Sequence, residues 1–175
     1  MSGLTPPVGA RDHARGPATA PVTLLEYGDY ECPHCGVVHP IVQAVERHFG
    51  HRLRFVFRNF PLTQAHPHAE HAAEAAEAAA VAGKYWDMHD KIFEHQGAIT
   101  DRDLVRYGEQ VGVEPSVIED ALAAHTYKPR VREDFMSGVR SGVNGTPTFF
   151  INGEQYQGAY DAESLVAAVG AVVSG

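Results

Sequence analysis

The sequence predicts an α/β domain in which an all-helical block interrupts a sheet, and three observations predict it. A strand-like run at residues 22–27 leads into Cys32-Pro33-His34-Cys35 and a helical apolar stripe, followed by a second run of period two. Residues 63–142 then carry apolar side chains at spacings of three and four. From Thr148 the pattern returns to strand, two-residue turn and strand, and closes on one more helix.

Taken in order, residues 1–19 are rich in Pro, Gly and Ala and read as an extended lead-in with a short edge strand near residues 12–15, in which His13 is a solvated side chain. Residues 20–62 and 143–175 form the sheet lobe, and residues 63–142 the inserted helical lobe. After the cysteines, Val38, Ile41, Val42, Val45 and Phe49 line one helix face, with Pro40 inside that helix, where a missing N–H should kink it. Leu53, Phe55 and Phe57 alternate with Arg54, Val56 and Arg58, the period of a strand, and Asn59-Phe60-Pro61 ends it.

Residues 66–83 hold nine alanines, with Glu70, Glu74 and Glu77 read as the solvated side of a close-packing helix and Gly83 as its cap. Tyr85, Trp86, His89, Ile92 and Phe93 recur at three or four residues, so residues 84–96 form a helix with an aromatic inner face in which Trp86 and His89 are core. Thr100 and Asp103 are placed as a capping box, Glu114-Pro115 opens another helix, and residues 128–142 add a third. Residues 148–151 and 154–157 are the hairpin strands about Asn152-Gly153, and Asp161 caps the last helix.

Cys32 and Cys35 are the two cysteines of the chain. A strand-to-helix junction puts Cys32 at a helix N-terminus, where unpaired N–H groups and the helix dipole favour a thiolate, and Cys35 one turn inside, more shielded. That pattern points to a redox dithiol. A structural zinc site needs about four ligands, and there is no second cysteine pair. The densest histidine group, His66, His68 and His71, reads as the start of a helix. The expectation is therefore no metal and no cofactor, with a metal-binding or redox-sensing module as the alternative class.

With 175 residues, 44% of them hydrophobic, the chain suits one compact domain. A formal charge of -8 argues against nucleic acid or an anionic membrane as partner. The longest apolar run, residues 165–173, falls well short of the ~20 residues a bilayer span needs. The N-terminus carries no basic, apolar leader, so the chain as written is expected in the cytosol; a trimmed chain would belong to the cell envelope.

The motif set resembles the DsbA-like family of thiol:disulfide oxidoreductases. The resemblance is carried by residues 20–35 ending in Cys-Pro-His-Cys, by Asn59-Phe60-Pro61-Leu62, His66-Pro67-His68-Ala69, residues 84–90, and Gly145-Thr146-Pro147-Thr148 with the strand that follows. It implies a thioredoxin-like fold with an inserted all-helical lobe. It also implies a cis-proline loop at Thr146-Pro147 that faces the cysteines and binds an extended substrate segment, and a buried carboxylate, Glu26, that relays protons to Cys35. Independently of the resemblance, His34 lies close enough for its imidazole to donate to or attract a Cys32 thiolate and Pro33 fixes the backbone of the helix start, so both tune that thiolate. The implied partners are protein or peptide thiols and disulfides and a partner that regenerates the redox state, with oxidation the expected direction.

Overall fold

The computed structural model describes residues 3–175. Strands β1 (His13–Arg15), β2 (Val22–Gly28), β3 (Leu53–Asn59), β4 (Thr148–Ile151) and β5 (Glu154–Gln155) form one sheet in the order β1-β3-β2-β4-β5. Among the described residues only β2 and β3 run parallel, in register from Val22 opposite Leu53 to Gly28 opposite Asn59; the other pairings are antiparallel. A parallel pair needs a crossover, and helix α1 (Pro33–Phe49) with a short 3-10 turn supplies it. That helix runs on through Pro40 and buries Cys35, Val38, Val42, Val45 and Phe49.

Between β3 and β4 lie only helices: α2 (Ala69–Val81), α3 (Tyr85–Glu94), α4 (Asp101–Gln110), α5 (Pro115–Ala124) and α6 (Lys128–Arg140). The chain ends in α7 (Ala162–Ser174), which packs on α1 and β2. Alternation along β2 divides the core. Leu24 faces a cluster with Phe55, Phe57, Phe149 and the apolar sides of α1, α3 and α7. Leu25 and Tyr27 face a second cluster with Val56, Phe60 and Phe150, against which Phe135 of α6 is laid. Both faces of the central strands are thus covered, which is why these strands are buried nearly throughout.

Burial on both faces also takes in Arg58, 3% exposed, which would otherwise be an unpaired buried cation. Asp12 neutralises it through two hydrogen bonds of 2.8 and 3.0 Å, and Arg58 donates a third to the Tyr27 hydroxyl at 2.9 Å. Arg58 therefore ties the lead-in to the sheet.

Two expectations about charged groups need correction. Glu74 and Glu77 are not a solvated face: they are 0% and 4% exposed. The alanines remove side-chain bulk on every side of α2, so α3, α4, α5 and α6 all close in on it and bury every residue from 72 to 79. Glu77 is paired there by His13, by the Asn59 amide at 3.1 Å and by Arg130 at 3.8 Å. His13 is accordingly not a solvated histidine: pairing of β1 with β3 carries its ring onto Tyr85, centroids 3.7 Å apart, with Nε2 2.9 Å from Glu77.

Other boundaries shift slightly. The alanine helix begins at Ala69 rather than residue 66, because His66 and His68 are engaged by carboxylates upstream. The last strand ends at Gln155. The Thr100 capping box and the Asp161 cap are present, with Ser164 N–H donating to Asp161 at 2.8 Å.

Candidate active site

Cys32 is the N-cap of α1 and Pro33 its first residue, a position where proline loses no helical bond. The turn is built by Asp29, 1% exposed. One of its carboxylate oxygens accepts from the N–H groups of Glu31 (2.7 Å) and Cys32 (3.1 Å), and the other from Leu62 N–H and the His66 ring, both at 2.8 Å. One buried carboxylate thereby ties the end of β2 to the helix start and to the segment after β3. Glu31 repeats the device outside, accepting from both the N–H and the ring of His68.

Gln96, in the loop after α3, closes the other side by donating to the carbonyls of Tyr30 (3.0 Å) and Cys32 (2.6 Å). Gly36 makes this approach possible: a Cβ there would lie 2.2 Å from Gln96 Oε1. Asp29 had a signal in the sequence, since an acid ahead of a turn is a common organiser of N–H groups. Gln96 and Gly36 had none, because their meeting depends on how the helical lobe docks.

Both cysteines are free thiols, and their surroundings split them. Cys35 is 0% exposed, and burial, followed by the neighbouring Cys32 sulfur and the Glu26 charge, pushes its thiol well above the usual range. Cys32 is held down at about 5, first by the Cys35 S–H donating to it, against the cost of its own burial. The N–H groups of Cys35 and His34 add to that, and so does the nearby Thr146 side chain, whose hydroxyl forms no well-aligned hydrogen bond. In its protonated form the Cys32 thiol donates to the Thr146 carbonyl at 3.6 Å. Cys32 is itself only 4% exposed, more covered than a helix start alone implies.

Thr146-Pro147 is a cis peptide bond, and this loop, before β4, sits against Cys32. Glu26 lies on the α1 side of β2, 2% exposed, with Oε1 making no hydrogen bond. Burial raises its carboxyl to about 8, helped by the charges of Cys32 and Glu46. Its charge also acts on Cys35, and the side chain is buried rather than on the outer surface. His34 reaches the thiolate through its backbone N–H, while its ring, like Pro33 and Val37, is exposed on the rim. His66 faces the same sulfur: burial lowers its pKa, but Asp29 and then the Cys32 charge raise it overall.

Residues 10–171 match the family described as Thioredoxin. The chain belongs to the thioredoxin family. Its fold is that of the DsbA-like members: BdbD from Bacillus subtilis superposes with a TM-score of 0.90 at 24% identity, over 100% of this chain and 98% of that one. The thiol-disulfide exchange protein alpha-DsbA2 from Wolbachia pipientis gives 0.81 at 21% identity, over 93% and 88%. Among curated sequences, the chain is 45% identical over 165 residues to "Na(+)/H(+) antiporter NhaA 1" of Salinispora arenicola, 94% of this chain and 25% of that protein. A protein of the same name from a Mycobacterium species (strain KMS) is 42% identical over 161 residues, 91% of this chain and 26% of that protein. This thioredoxin-family chain spans about a quarter of the length of these curated relatives.

Proposed function

We propose that this chain is a thiol:disulfide oxidoreductase acting on protein or peptide thiols through Cys32 and Cys35, in the oxidising direction. The observation that carries the reading is the split between the two thiols, Cys32 at about 5 and Cys35 well above the ordinary range. A dithiol so divided has one good leaving and attacking sulfur at the helix start and one that holds its proton deeper inside.

In the oxidising cycle a substrate thiolate attacks Sγ of Cys32 in the Cys32–Cys35 disulfide. The sulfur–sulfur bond breaks, Cys35 departs with the electron pair, and it takes up a proton. Glu26, a buried carboxyl that still holds its proton near neutral pH and whose charge acts on Cys35, supplies it. A second substrate thiolate then attacks the substrate sulfur of the mixed disulfide. Cys32 leaves as a stable thiolate, the substrate carries a disulfide, and two electrons rest on the enzyme. A separate oxidising partner must remove them.

The backbone of Thr146 pairs an extended substrate segment beside Cys32, and the exposed Pro33, His34 and Val37 form the rim it crosses. Stabilising the Cys32 thiolate favours the reduced enzyme and so makes its disulfide a stronger oxidant. Equilibration against defined glutathione ratios tests the direction: a potential above about -270 mV, the thioredoxin value, is expected. A value at or below it would reassign the chain to reduction or isomerisation.

One observation favours a second reading. The curated relatives are named as antiporters, so a thiol module of this kind could report redox state to a transport protein rather than turn over. Repeated refolding of a reduced protein per enzyme molecule, with glutathione as electron exchanger, supports the oxidoreductase; a single stoichiometric change of state supports the sensor.

A further inference from the structure

Outside the dithiol, α2 presents His71 and Glu74 one turn apart on the same face, and the C-terminal residue of the α5 turn, His125, is brought against them. His125 Nδ1 donates to Glu74 Oε1 at 3.3 Å, a hydrogen this nitrogen gives up if it ligates, and the His71 and His125 rings are 5.5 Å apart. The metal-binding atoms of the three side chains lie within 4.8 Å of one another. Glu74 is fully buried, and its second oxygen, Oε2, accepts no hydrogen bond. A buried carboxylate oxygen left without a donor costs free energy unless a cation or a proton is provided for it.

The fourth residue decides the chemistry. His71 Nδ1 is 2.7 Å from Asp101 Oδ1, and a carboxylate can only accept, so Nδ1 carries the hydrogen and the lone pair is left on Nε2. That is the arrangement by which a carboxylate orients a metal-bound imidazole. We propose that His71, Glu74 and His125 form a zinc site on the helical lobe, with Asp101 fixing the His71 ring and a fourth position open to water. Two imidazoles and a carboxylate suit Zn2+ better than Ca2+ or Mg2+, which take oxygen ligands. Tetrahedral ligands at 2.0–2.1 Å stand about 3.4 Å apart, so the set must contract by up to about 1.4 Å at its widest. His71 and His125, with side chains 35% and 47% exposed, have the freedom to do so.

Glu74 is held rigid inside. The ion would clamp α2 to the end of α5 and, through Asp101, to the start of α4. A second triad, His39, His89 and Asp90, does not compete: Arg15 already occupies Asp90 at 3.2 Å, and the Tyr30 hydroxyl occupies His89 Nδ1 at 2.8 Å.

The test uses the full chain with Cys32→Ser and Cys35→Ser, so that thiolates cannot take the ion. Calorimetric titration with ZnCl2 should give one ion per chain, and CoCl2 should develop the visible absorption of a four- or five-coordinate site. His71→Ala and His125→Ala, read separately, should each weaken Zn2+ binding by tenfold or more, and Asp101→Asn by about tenfold. Saturating Zn2+ should raise the melting temperature of the parent and not of His125→Ala. The proposal is overturned if less than half an equivalent binds, or if both alanine variants titrate as the parent does. Circular dichroism shows whether each variant is folded; should His71→Ala be misfolded, His71→Gln takes its place, with the same tenfold loss expected and parent-like binding again overturning the site.

Discussion

His34→Pro removes one N–H from the start of α1 while leaving the charge balance of the fold almost unchanged, because the His34 ring is exposed. The donor it deletes is one that supports the Cys32 thiolate and, in the first turn of a helix, has no intrahelical partner. At about 5 instead of the ordinary 9.0, Cys32 is ~99% thiolate at pH 7 rather than ~1%, a stabilisation of the reduced form worth two pKa units, or roughly 60 mV. A hydrogen bond to a charged group contributes about 1.5–3 kcal/mol. The lower end applies, since the Cys32 side chain takes no well-aligned cap bond.

Losing it should raise the thiol by about one unit and lower the potential by about 30 mV at pH 7. Two assays read this: the pH dependence of Cys32 alkylation, whose midpoint should move up by about one unit, and glutathione equilibration. His34→Ala keeps the N–H and should stay near wild type in both. A His34→Pro protein indistinguishable from wild type would refute the backbone argument, and a His34→Ala shift as large as that of His34→Pro would assign the effect to the imidazole instead.

Three further outcomes are expected. In the reduced protein Cys32 should alkylate with a midpoint near pH 5 while Cys35 stays unlabelled through neutral pH, and Cys35→Ser should trap mixed disulfides that Cys32→Ser does not; equal labelling rates at pH 6 would reverse the roles. Glu26 is raised to about 8 in the fold against an ordinary 4.5, so the unfolded chain loses its proton first: its burial costs nothing below pH 4.5 and increasingly more toward pH 8. Glu26→Gln should therefore gain on wild type by roughly 3 kcal/mol between pH 4.5 and 7 in urea denaturation of the reduced proteins, and parallel pH profiles would remove buried charge as the cause. Gly36→Ala should displace Gln96 from the Tyr30 and Cys32 carbonyls and lower the melting temperature by several degrees, for a loss of about 1–3 kcal/mol. Adding Gln96→Ala should make the alanine at 36 nearly harmless, and an undiminished effect in that double variant would show the clash lies elsewhere.

Period and punctuation were sufficient for most of the elements. The alternation in residues 53–58, the Asn152-Gly153 turn, the Thr100 box and the apolar stripe after Cys35 are local patterns, and each is set by interactions within a few residues. Part of the chemistry of Cys32 was legible for the same reason, since a thiol spaced to start a helix meets that helix's own N–H groups, although the Cys35 S–H contributes more. What local pattern could not supply was the environment of polar groups whose partners are distant in sequence.

Glu74 and Glu77 show the limit. Their spacing on an alanine helix is that of a solvated stripe, and nothing within α2 says otherwise; His13, Asn59, Arg130 and His125, all remote in the chain, are what make burying them tolerable. The same holds at the dithiol. Sequence alone determined that two thiols lie one helical turn apart at the end of a strand, with a carboxylate on that strand. Tertiary structure decided that the carboxylate is dehydrated, that Thr146 reaches the outer sulfur across more than a hundred residues, and that Asp29 and Gln96 lock the turn. The physical reason is that a backbone carries its hydrogen-bond donors with it, whereas the removal of water from a side chain is settled only when other parts of the chain arrive to replace it.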